Sequence, residues 1–91
     1  MISPKTPETH GLLGEIYLKR KQIELARFHL NLAVEIKPNY AIAMRNLGII
    51  YYFHLKKPEE AVVYFLRALS VDPNQKNGDN IRVLIKKIKK K

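Results

Sequence analysis

The sequence predicts an all-α protein, a solenoid of two helix-turn-helix hairpins followed by a capping helix. Two observations predict this class. A sparse motif recurs after 34 or 35 residues, and between prolines the apolar side chains follow the 3.6-residue period of an α-helix. The chain of 91 residues, 46% of them hydrophobic, is long enough for one small folded domain. We therefore expect a single stack of helices with one continuous core.

The repeat is found by comparing the sequence with itself. Leu13-Gly14-x-x-Tyr17 recurs as Leu47-Gly48-x-x-Tyr51, 34 residues later. In the second half of the unit the spacing is 35 residues, and it relates Ala26, Leu30, Ala33 and Pro38 to Ala61, Phe65, Ala68 and Pro73. The extra residue falls within residues 53–57, where we expect a connecting loop to absorb it.

Each unit is predicted to contain two antiparallel helices. Thr6 suits the cap and Pro7 the first turn of a helix that ends near Arg20. The second helix begins near Gln22 and stops before Pro38, because proline cannot donate a backbone hydrogen bond. The third helix covers about residues 39–53, and the fourth lies between Pro58 and Pro73. The divisions are an N-terminal arm (1–6), a first repeat (7–39), a second repeat (40–75) and a basic C-terminal helix (76–91).

Small residues are predicted where the two helices of each hairpin cross. Gly14 with Ala26, and Gly48 with Ala61, would let the helix axes approach to roughly 8–9 Å. Glycine inside a helix costs about 1 kcal/mol relative to alanine. Its use twice at one spacing therefore indicates a steric requirement.

A fifth helix is predicted after the second repeat. Asn77-Gly78-Asp79 is a start signal, and Ile81, Leu84, Ile85 and Ile88 then form one apolar stripe. The opposite face is basic. A helix with one apolar face is what the end of a repeat stack requires.

These motifs resemble the tetratricopeptide repeat family, over roughly residues 7–74. The departures are His10 and Met44, where the family often has tryptophan, and Lys21-Gln22 in place of a Gly-Asp turn. The resemblance implies a right-handed α-α superhelix whose first helices line a concave face. It also implies binding of peptide segments or partner helices of another protein on that face.

The third helix is apolar on almost every side, so part of it is predicted to form a partner groove. The groove residues are Ile42, Arg45, Asn46, Ile49, Tyr52 and Phe53. Asn46 would bind an extended backbone, and Arg45 would bind a carboxylate. In the alternative interpretation, the first and last helices cover these side chains.

A second predicted surface is a self-association patch of Leu25, Phe28 and Leu32 on the second helix, where the second repeat has Glu60, Val63 and Arg67. Three large apolar side chains on a convex face would be unusual for a monomer. Repeat arrays also usually need about three units for stability. We therefore expect a homodimer or higher oligomer, unless the N-terminal arm covers the patch.

The sequence shows no pattern typical of catalytic, cofactor-binding or metal-binding residues. It has no cysteine, and its three histidines lie in three different segments without a partner at ligand spacing. We therefore predict a protein that is not an enzyme and binds no cofactor. No apolar run is long enough to cross a membrane and the start does not suggest a signal peptide, so a cytoplasmic location is expected.

The formal net charge of +9 is concentrated at the C-terminal end, where residues 76–91 contribute +6. The anion-contact candidates are Lys86, Lys87, Lys89 and Lys90. They are either the solvated back of the capping helix or a contact for phosphates. The alternative function is therefore an accessory nucleic-acid-binding protein. A third possibility is a fragment of a longer repeat array, whose exposed apolar faces are cut interfaces.

Overall fold

The computed structural model describes residues 6–74 and 78–90, and this part of the chain is built from helices without strands. Helices α1 (Pro7–Lys19) and α2 (Ile23–Ile36) form the first hairpin. Helix α3 (Ala41–Ile49) continues as a π-helical turn (Ile50–His54) and pairs with α4 (Pro58–Val71), and α5 (Gly78–Lys89) follows. The predicted all-α repeat fold is confirmed. Met1–Lys5, Asn77 and Lys91, which belong to the predicted arm, start signal and tail, lie outside the described residues.

The helix starts follow from the local sequence. The Thr6 Oγ1 accepts a hydrogen bond from the Thr9 N–H at 3.2 Å, with Pro7 in the first turn of α1. Thr6 is therefore the N-cap of α1, as the sequence predicted. Pro58 occupies the first turn of α4, as Pro7 does in α1, although the N-cap residue Lys57 makes no side-chain cap hydrogen bond. Glu59 and Glu60 follow in the same turn, where carboxylates interact favourably with the helix dipole.

The turns inside the two hairpins differ by one residue. In the first, Lys21 is left-handed with φ 63°, and the Gln22 N–H donates to the Tyr17 carbonyl at 2.9 Å. In the second, Lys56 is left-handed with φ 57°, and the corresponding bond joins the Lys57 N–H to the Tyr51 carbonyl at 2.8 Å. The second bond spans six residues and the first spans five.

The extra residue is therefore absorbed within the helix, and the sequence-based expectation of a loop over residues 53–57 is corrected. The Leu55 N–H donates to the Ile50 carbonyl at 2.9 Å, which is the i→i+5 bond of a π-helix. A π-turn accommodates one more residue per turn while its backbone stays hydrogen-bonded. The helical structure consequently extends to His54.

In each hairpin the two helices pack most closely where a glycine of the first helix lies against a large side chain of the second. A Cβ on Gly14 would lie 2.5 Å from Leu30 Cγ and 3.2 Å from the Ala26 carbonyl oxygen. A Cβ on Gly48 would lie 2.5 Å from Phe65 Cε1. The predicted steric requirement for these glycines is thus confirmed, although the side chains of Leu30 and Phe65 impose it more directly than the alanines.

The core consists of two adjoining clusters. The first joins α2 to α3 and contains Ala26, Leu30, Ala33, Ala43, Leu47 and Ile50. The second joins the end of α3 to α4 and α5 and contains Tyr51, Ala61, Phe65, Ile81 and Ile85. Helix α5 therefore caps the stack as predicted. Among the described helices, none is both long and apolar enough to span a bilayer.

Candidate protein-binding surfaces

A cleft of about 580 Å3 lies between the π-helical end of α3, the start of α4 and α5. Its lining residues are Tyr52, Phe53, Lys56, Pro58, Glu59, Lys87 and Ile88. Apolar and aromatic groups form much of the wall, and two lysines and one glutamate supply the charge. A pocket of this size accepts one or two large side chains of a partner.

The π-turn shapes the aromatic wall of this cleft. The Tyr52 and Phe53 rings contact each other edge to face, with their centres 4.8 Å apart, and Phe53 remains 48% exposed. An exposed phenylalanine beside a pocket is available for contact with a partner. The inserted residue was the sequence signal for this irregularity, but it did not indicate that α5 would supply Lys87 and Ile88.

The remaining predicted groove residues differ in accessibility. Ile42 is 42% exposed, and Arg45 and Ile49 are half-buried. Asn46 departs from the expectation of an accessible groove residue, since only 4% of it is exposed. The Arg45 Nε and the Asn46 Nδ2 are buried without a hydrogen-bond partner among the described residues. An unpaired buried donor of this kind costs about 1–3 kcal/mol.

The predicted self-association patch is largely accessible. Leu25 is 45% exposed and Phe28 is 58% exposed, whereas Leu32 is half-buried. None of the three belongs to the two core clusters or to the side chains packed against them. The positions 35 residues later, Glu60, Val63 and Arg67, are also exposed, so this side of each hairpin faces away from the helix stack.

A histidine pair joins α1 to α2, although the sequence had placed the histidines in separate segments. The Nδ1 atoms of His10 and His29 lie 3.1 Å apart and the ring centres 5.4 Å apart, so the two Nδ1 edges face each other. Burial lowers the pKa of His29, and the charge of His10 lowers it further. No group of three or more metal-ligating side chains occurs in residues 6–74 and 78–90.

Aromatic pairs occupy the same place in both hairpins. Tyr17 stacks on His29 with ring centres 5.5 Å apart, and Tyr51 stacks on Tyr64 with ring centres 5.2 Å apart. Burial, together with the neighbouring Tyr51, raises the pKa of Tyr64. Burial also raises the pKa of Tyr40, to which Glu8 and Glu15 add. A raised pKa keeps a phenol protonated, which is typical of a packing role and unfavourable for a nucleophile.

The four lysines proposed as anion contacts are all exposed along α5 and its end. Lys87 lies on the 580 Å3 cleft, and Lys89 lines a smaller neighbouring cleft of about 320 Å3 with Glu59, Val62 and Ile88. The structure thus combines the aromatic part of the predicted groove with part of the basic tail. From the sequence these were two separate features.

Comparison with known proteins agrees with this architecture. The family model of the tetratricopeptide repeat matches residues 6–74. The chain belongs to the tetratricopeptide repeat family. It is also similar to an uncharacterized protein, ycf37, of Pyropia yezoensis, with 30% identity over 80 residues. This match covers 88% of the chain but 44% of the relative, so the chain spans less than half of that protein's length. Tetratricopeptide repeats are generally a non-catalytic, protein-interaction fold.

Proposed function

We propose that this tetratricopeptide repeat protein is a scaffold or adaptor module that binds a segment of another protein on its concave side. The observation that carries the proposal is the cleft of about 580 Å3 between α3 and α5, with Phe53 exposed at its wall. The bound segment is a peptide or a helix with a large apolar side chain that enters between Tyr52, Phe53 and Ile88. The half-buried Arg45 and Ile49 extend the same surface along α3.

The charges around the cleft favour a partner with carboxylates next to its apolar anchor. The cleft lining carries two positive charges, Lys56 and Lys87, and one negative charge, Glu59. Three further lysines of α5 and its end are also exposed. Charge complementarity of this kind contributes to orientation and association rate. Because these groups are exposed, salt is expected to weaken binding.

The test compares two exposed apolar side chains of similar accessibility on different surfaces. Phe53→Ser removes the aromatic wall of the cleft, and Leu66→Ser, which changes a residue 45% exposed on α4 and outside the proposed surfaces, is the matched control. Proteins captured from a lysate of the source organism by the unchanged chain are expected to be lost with Phe53→Ser and with Ile49→Glu. They should be retained by Leu66→Ser. If every specific partner survives both groove substitutions, the groove assignment fails.

The proposal includes self-association, for which the sequence indicated Leu25, Phe28 and Leu32. It is supported by the exposure of Leu25 and Phe28 and by their separation from both core clusters. Sedimentation velocity at micromolar concentration measures it directly, and a single monomeric species would contradict it.

The basic end of the chain supports the same proposal through Lys87, which lines the cleft. Lys87→Gln, which leaves Ile88 of the cleft wall in place, tests this role. Partner binding should then weaken and lose part of its salt dependence. Removal of residues 86–91 tests the alternative function. If the truncation instead abolishes a salt-sensitive retention of nucleic acid and leaves protein partners unchanged, the alternative of an accessory nucleic-acid binder is favoured.

A further inference from the structure

Helix α1 and its C-cap residue expose a ridge of four side chains at every fourth position, Glu8, Leu12, Ile16 and Arg20. Side chains four residues apart form the rows that pack between neighbouring helices. Leu12 and Ile16 are 52% and 41% exposed, and neither belongs to the core clusters or to the side chains packed on them. The ridge is therefore an apolar strip with an acid at one end and a base at the other.

The two central positions of this ridge are buried in the second repeat. Asn46 and Ile50 stand 34 residues after Leu12 and Ile16, and they are 4% and 0% exposed. Their side of α3 is covered by the first hairpin, because Ile50 packs in one cluster with Leu30 and Ala33 of α2. The α1 ridge thus has the register of a helix–helix contact, yet no described helix covers it.

We infer that a second copy of this chain covers the ridge, with the two α1 helices antiparallel about a twofold axis. In this arrangement Leu12 of one copy lies opposite Ile16 of the other, and Glu8 lies opposite Arg20. A twofold contact must be self-complementary. The order acid, apolar, apolar, base meets this condition only when the helices are antiparallel, since a parallel pair would place Glu8 against Glu8.

Charge also selects α1 over the opposite end of the stack. Helix α5 exposes Arg82, Lys86 and Lys89, and like charges brought together across a contact are destabilising. The inference rests on the proposed self-association and goes beyond it by moving the twofold contact from the α2 patch to α1. The residues corresponding to that patch in α4 remain exposed beside a preceding repeat, so the repeat architecture does not require a helix there.

The experiment measures the mass of the full chain by sedimentation velocity across the micromolar range. The unchanged protein is expected to be a dimer, and the double variant Leu12→Glu with Ile16→Glu is expected to raise the dimer dissociation constant at least tenfold. Val83→Glu changes a residue 64% exposed on α5, and this control should leave the dimer unchanged. Circular dichroism verifies that all variants remain helical.

A cross-linking measurement tests the orientation, and it is simple because the chain has no cysteine. A mixture of single variants Leu12→Cys and Ile16→Cys, treated with a short bismaleimide, should form mixed dimers several-fold more efficiently than Glu8→Cys alone forms dimers. Equal yields would overturn the antiparallel arrangement.

The outcomes separate this inference from the proposed function. A wild-type mass that stays monomeric overturns both the ridge contact and self-association. If Phe28→Glu dissociates the dimer and the double variant does not, self-association stands on the α2 patch and the ridge is rejected. Loss of partner binding with Phe53→Ser, at an unchanged mass, concerns the cleft alone.

Discussion

The first helices of the two repeats share a register but have different environments. Helix α3 lies between the α2 side of the first hairpin and its own α4, so Ile50 is fully buried. Helix α1 packs on α2 on one side, and Ile16 at the equivalent position is 41% exposed. One motif therefore produces a core helix in the second repeat and a surface helix in the first. The environment of a repeat depends on its neighbours as much as on its own sequence.

The largest difference is expected from truncating the same register position in both repeats. Ile50→Ala should lower the free energy of unfolding by about 2–5 kcal/mol, because it leaves a cavity in a packed cluster. Ile16→Ala should lower it by less than about 1 kcal/mol, since the side chain is partly solvated. Urea unfolding at a concentration where the chain is monomeric measures both. Similar losses would show that α1 is covered in the monomer.

A second comparison concerns glycine. Gly48→Ala is expected to lower the free energy of unfolding by about 1–3 kcal/mol, because its Cβ would lie 2.5 Å from the buried Phe65 ring. Gly11 is the matched control. A Cβ on Gly11 would lie 2.8 Å from Cε2 of the half-buried Tyr40 ring, which can shift. The equivalent position in α3, 34 residues later, already carries a large side chain, Arg45. Gly11→Ala should stay within about 0.5 kcal/mol of the unchanged protein, since helix propensity offsets the contact. A larger loss of stability with Gly11→Ala than with Gly48→Ala would contradict this prediction.

The smallest expected effect is a pH dependence confined to the first repeat. The folded pKa of His29 lies below its ordinary value of 6.5, so between the two values the folded state binds fewer protons than the unfolded state. The contribution of neutral His29 to the free energy of unfolding is therefore fully present above about pH 6.5. It is lost as the pH falls from there through the folded pKa of His29. Two protonated rings would also direct their Nδ1 hydrogens at each other across the His10–His29 contact.

The urea midpoint, measured from pH 7.5 downward, checks this prediction. It should fall more in the unchanged protein than in His29→Tyr, which copies Tyr64 of the second repeat and retains a ring against Tyr17. Identical pH profiles would exclude His29 as the titrating group.

The candidate site was predictable in part. Tyr52 and Phe53 were assigned to a groove because α3 is apolar on too many sides for a simple amphipathic helix. Their association with Lys87 and Ile88 was not predictable, since it depends on how α5 packs against α4 and the end of α3. The same limit applies to Asn46, whose polarity indicated an exposed position although only 4% of it is exposed.

The sequence by itself determined the two hairpins, their proline and glycine boundaries, and the capping helix, because periodicity, caps and close helix crossings depend on residues near in sequence. Only the tertiary structure decided which equivalent positions are covered, where the extra residue became a π-turn, and that His10 meets His29. These properties depend on contacts between segments distant in the chain. No local pattern encodes such contacts, so two copies of one motif acquired different surfaces.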